Sequence, residues 1–88
     1  MTNITVPPWS EAPPWAEFLA LDNDGQWFWY SKKPQWVGEF WSPEGGQNKH
    51  AGEQYDQPPD YDDTETAAQS LKSRPGRLKR LVQAYMDK

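Results

Sequence analysis

The chain has 88 residues, 13 acids against 9 bases for a net charge of −4, six tryptophans and no cysteine. One domain at most fits this length, and the missing cysteine excludes disulfides, thiolate metal sites and cysteine nucleophiles. Only 35% of residues are hydrophobic but 15% are aromatic, so a thin core built from rings is expected, each ring removing ~150–250 Å² from water.

The first residues lack the basic and apolar regions of a secretory signal. No apolar run exceeds four residues, too short to cross a membrane. A cytoplasmic protein is expected. Residues 1–14 form a Pro-rich arm with Pro-Pro-Trp at 7–9 and again at 13–15. Pro-Pro favours an extended conformation, so the arm is expected to lie across the domain and insert Trp9 or Trp15.

Residues 15–42 read as a three-stranded antiparallel meander. Asn23-Asp24-Gly25 suits a three-residue hairpin loop whose last residue has positive φ. That register sets Leu21 opposite Trp27 and Leu19 opposite Trp29 on one face, with Phe18, Ala20, Phe28 and Tyr30 on the other. Pro34 cannot donate to a ladder and ends the second strand. Residues 35–42 are the expected third strand, with Gly38 at a bulge or close backbone approach.

Residues 43–62 are a Gly-, Pro- and acid-rich stretch without periodicity, expected as a long loop. Residues 63–88 are helical, with Asp63 as N-cap and helices at about 64–72 and 75–86, broken by Pro75. Leu78, Leu81, Val82 and Tyr85 make an amphipathic stripe, which is expected to pack on the sheet. The fold class is therefore α+β.

Catalytic chemistry finds little support in these residues. The single histidine, His50, lies in the loop with no partner identifiable from sequence and is expected to be solvated. Asp22-Asn23-Asp24-Gly25 has Gly at the fourth position, where a calcium loop needs it at the sixth. No metal, no cofactor and no catalytic residue is expected.

Binding chemistry fares better. Tyr55, Asp56, Asp60, Tyr61, Asp62 and Asp63 interleave carboxylates with rings, and a spaced row of carboxylates can imitate duplex phosphates in a basic groove. Trp36 and Trp41 join them as candidate contacts because the third strand follows the hairpin at an edge. The alternative is nucleic-acid binding through a basic helix face of Arg77, Lys79 and Arg80. Charge is divided along the chain: residues 1–66 carry 12 acids and 3 bases, residues 67–88 carry 1 acid and 6 bases. Residues 58–61, PPDY, match the Pro-Pro-x-Tyr ligand of WW domains.

The stretch WAEFLALDNDGQWFWYSKKP, residues 15–34, resembles a recurrent segment of small bacteriophage and prophage proteins: Trp-Ala, an aliphatic strand, Asp-x-Asp-Gly, then Trp-aromatic-Tyr and Pro. The resemblance spans about residues 13–43 and implies a phage origin. What it implies for function is a non-enzymatic accessory protein acting in the host cytoplasm. Its partner would be a host protein or protein–nucleic acid complex, occluded stoichiometrically, as by inhibitors of restriction or CRISPR defence.

Overall fold

The computed structural model describes residues 5–58 and 61–86; within the C-terminal helix the side chains at 77–79, 81 and 84 are not described. Strands β1 (Phe18–Leu21) and β2 (Trp27–Tyr30) form the central hairpin. Their register is the expected one, with Leu21 opposite Trp27 and Leu19 opposite Trp29. Asp22 N–H donates to the Gln26 carbonyl and Gly25 N–H to the Asp22 carbonyl, both at 2.9 Å. Gly25 has a φ of 90°, a region other residues enter only under strain.

Because successive side chains alternate in direction, the hairpin supports two cores. Leu19, Leu21, Trp27 and Trp29 pack with Ala16 on one face; Phe18, Ala20 and Tyr30 pack with Trp41 on the other. The proline arm covers the first face. Pro7 is fully buried, Trp9 meets Trp29 with ring centroids 5.1 Å apart, and Trp15 packs on the same cluster. Arg74 pins the arm by donating to the carbonyls of Pro13 at 3.2 Å and Ala16 at 2.8 Å.

The meander is corrected. Residues 35–42 do not extend the sheet but fold back as a separate two-stranded hairpin, β3 (Gln35–Trp36) with β4 (Trp41–Ser42). Gly38 lies in the turn of that hairpin with no atom close to it, not at a close approach. The free edge of β2 is taken instead by β5 (Asn48–His50), from within the expected loop 43–62. A 3₁₀ turn, Glu53–Tyr55, follows in the same stretch. Two short polar segments thus supply structure where composition alone reads as loop.

Helix α1 (Thr64–Ala68) is shorter than expected. The chain leaves it because residues 70–73 are needed at the edge of β1. The Ser70 hydroxyl accepts from Leu21 N–H at 2.8 Å and donates to the Ala67 carbonyl at 2.6 Å. Strand β6 (Lys72–Ser73) then pairs with Phe18 and Leu19. The sheet order is β5-β2-β1-β6, and the class is α+β.

Helix α2 (Arg77–Met86) does not place its described apolar side chains in the core. Val82, Tyr85 and Met86 are exposed, Tyr85 by 77%. The Leu78 and Leu81 side chains lie outside the described residues. Arg80 ties the helix to the domain through two bonds to the Glu17 carboxylate, at 2.9 and 2.8 Å. Among the described residues, the second sheet face is covered by Trp36, Trp41 and Leu71.

Candidate functional site

At the closed end of the β1–β2 hairpin the turn, the β3–β4 hairpin and the segment before α1 surround a cleft of about 510 Å³. Asp22, Asp24, Glu39 and Asp62 line it together with Asn23, Phe40 and Tyr61. Local hydrogen bonds fix these elements to one another. Asn23 N–H donates to the Glu39 carbonyl at 3.0 Å. Trp41 N–H donates to Asp22 Oδ1 at 2.8 Å, and Thr64 Oγ1 donates to Asn23 Oδ1 at 3.1 Å.

The β3–β4 turn carries apolar groups outward beside this acidic wall. Phe40 is 49% and Val37 48% exposed, and Val37 N–H donates to the Phe40 carbonyl at 3.0 Å to close the turn. Burial raises the Asp22 carboxyl to about 6; Asp24 adds to the rise and the Trp41 N–H bond opposes it. Burial first, and the Asp63 charge second, push the Tyr61 phenol up. The Tyr61 hydroxyl is enclosed and makes no hydrogen bond among the described residues.

Of the residues singled out from sequence, Tyr61 and Asp62 reach the cleft. Trp36 is half-buried against Trp41, ring centroids 5.3 Å apart. Trp41 is corrected from a contact to a core residue: it is 7% exposed, and its Nε1–H donates to the Ala67 carbonyl at 3.0 Å. Asp63 is engaged as the N-cap of α1. Its carboxylate accepts from Thr66 N–H at 3.0 Å and Thr66 Oγ1–H at 2.7 Å, which holds its pKa below the usual carboxylate value. The Tyr55 hydroxyl donates to Glu11, and its ring packs on the first core.

Asp56 is paired with His50 at 2.7 Å, which corrects the expectation of an unpartnered histidine. The His50 ring also lies against Phe28, centroids 5.4 Å apart, so the pair anchors β5 to the turn after it. Asp60 and the side chains of Arg77 and Lys79 lie outside the described residues. Arg80 is already bonded to Glu17.

Sequence reasoning missed Asp22, Asp24, Glu39 and Phe40. The two aspartates were accounted for by turn chemistry, and Glu39-Phe40 by a continuous strand. Gly38 was the available signal, since Val-Gly-Glu-Phe between two tryptophans also reads as a hairpin tip. Among the described residues no cluster of three or more His, Asp or Glu is arranged to hold a metal ion, and no helix is long and apolar enough to cross a membrane. Comparison with protein-family models, curated proteins and solved structures gives no match to this chain.

Proposed function

We propose that the protein is a non-enzymatic accessory protein, of bacteriophage type, that binds a host protein or protein–nucleic acid complex in the cytoplasm and occludes a basic site on it. One observation carries the reading: the exposed Phe40 shares a cleft with four acidic residues, and the exposed Val37 lies in the same turn. Carboxylates at a rim speed encounter with a basic surface, while an apolar anchor that becomes buried governs how long the complex lasts. Asp22 supports the same reading, because a carboxylate kept in a half-buried setting that disfavours its charge serves stability poorly.

Resemblance of residues 15–34 to phage and prophage proteins points to defence systems as the target class, and a basic nucleic-acid groove in a defence nuclease matches the charge of the cleft. Affinity capture from a bacterial lysate tests the proposal. The unaltered protein, an Asp24→Lys/Asp62→Lys variant and Phe40→Ala serve as three baits. The reading expects a partner retained by the first and lost or depleted on both variants. Identical partner sets on all three baits would refute it.

A further inference from the structure

The other end of the β1–β2 hairpin carries a recess of opposite chemistry. Its volume is about 550 Å³, and Phe18, Leu71, Ser31, Ser73, Lys32 and Lys33 line it. Such a volume falls within the ~300–1,000 Å³ of small-molecule sites. Lys32 and Lys33 are two of only three bases in residues 1–66, against 12 acids. Yet neither is paired with a carboxylate among the described residues.

Two lysines consecutive in sequence line the recess, and with no carboxylate paired to either among the described residues their charge favours a bound anion. Donors are available beside them. Ser31 Oγ accepts from Gln47 N–H at 2.7 Å, which leaves its own proton free to donate, and the Ser73 hydroxyl has no partner among the described residues.

The wall is held in place by the turn at 45–46. Gly46 has a φ of 71°, and a Cβ there would fall on Ser31 Oγ and stand 3.2 Å from Lys32 Cγ. The turn is pressed against the segment that bears the donors. The half-buried Leu71 and the edge of the largely buried Phe18 add apolar atoms to the lining, so the recess is more than a pair of surface lysines.

We propose that this recess binds a small amphipathic anion, a phosphate monoester or carboxylate carried on an aromatic or short aliphatic body. Lys32 and Lys33 neutralise the anion, the Ser31 and Ser73 hydroxyls donate to it, and the organic body lies on Phe18 and Leu71. This site is independent of the acid-lined cleft and of the partner proposed for it.

Amide NMR titration of the full chain tests the site, using phenyl phosphate and benzoate as probes, with inorganic phosphate and phenol as separate arms. Saturable shifts at residues 31–33 and 71–73 are expected for at least one of the two aromatic anions, at an affinity at least about tenfold above inorganic phosphate and phenol. Lys32→Gln/Lys33→Gln should weaken that binding about tenfold or more, as loss of charge-assisted bonds does, with other amide positions unmoved. Equal affinity for inorganic phosphate would overturn the amphipathic assignment. Absence of saturable shifts, or binding undiminished in the double variant, would overturn the site itself.

Discussion

Asp22 serves two opposed ends. Its Oδ1 holds the Trp41 N–H and so ties the second hairpin to the first, while burial raises its carboxyl to about 6 from 3.8. The folded protein therefore holds the Asp22 proton more tightly than the unfolded chain does. This contribution favours folding most below about pH 4, declines as pH rises to about 6, and is lost above that. Asn at this position keeps an accepting oxygen and drops the charge. Asp22→Asn should thus be more stable than the parent protein at pH 7, by on the order of 1 kcal/mol for a group still in contact with water. The advantage should shrink towards zero near pH 4, as followed by urea denaturation across pH. A variant less stable than the parent at pH 7 would contradict the burial argument.

Gly25 makes the other residue-scale prediction. Its positive φ excludes a Cβ on backbone grounds, and a Cβ there would stand 2.6 Å from Gln57 Cβ. Gly25→Val should destabilise by more than about 1 kcal/mol, with the loss visible in thermal or chemical denaturation. This glycine was legible in the sequence because turn chemistry is local. The setting of Asp22 was not, because the partner of its carboxylate, Trp41 N–H, lies 19 residues away.

At the scale of elements, the central hairpin was legible down to its register, since Asn23-Asp24-Gly25 suits a three-residue loop and loop length sets the register of a hairpin. The edges were not. Asn48–His50 wins the edge of β2 by main-chain pairing, which leaves no hydrophobic signal, and a two-residue strand such as Lys72–Ser73 has no periodicity to detect. Beyond the β6 pairing, the Leu21 end of the β1 edge is met by one hydroxyl. Ser70→Ala would leave the buried Leu21 N–H without its acceptor, at a cost of about 1–3 kcal/mol.

Trp41→Phe should cost less on hydrogen-bond grounds, because the Ala67 carbonyl loses its indole donor but still accepts from the Ser70 hydroxyl and N–H. Helix α2 runs the other way: its amphipathic stripe was plain in sequence, but periodicity names a face without naming what covers it. Tyr85→Ala, at an exposed ring, should change stability by no more than about 0.5 kcal/mol. A loss of several times that would place the Tyr85 ring in the core.

Over the whole molecule, the acidic part of the chain is itself divided in charge along the hairpin. Asp22 and Asp24 lie at its turn, and Lys32 and Lys33 at its open end beside Phe18. Three residue steps of strand, roughly 10 Å, separate Phe18 from Leu21. The acidic character of the candidate surface was legible in Tyr61 and Asp62. Its assembly was not, because three segments distant in sequence meet only when residues 35–42 turn back on themselves.

The most direct measurement is the association and dissociation kinetics of the captured partner across a salt series. Asp24→Lys/Asp62→Lys should slow association about tenfold or more at low salt and flatten its salt dependence. Phe40→Ala should leave association nearly unchanged and speed dissociation about fivefold or more. Rates that are the same for the parent protein and both variants, at every salt concentration, would contradict the assignment of the cleft as the binding surface.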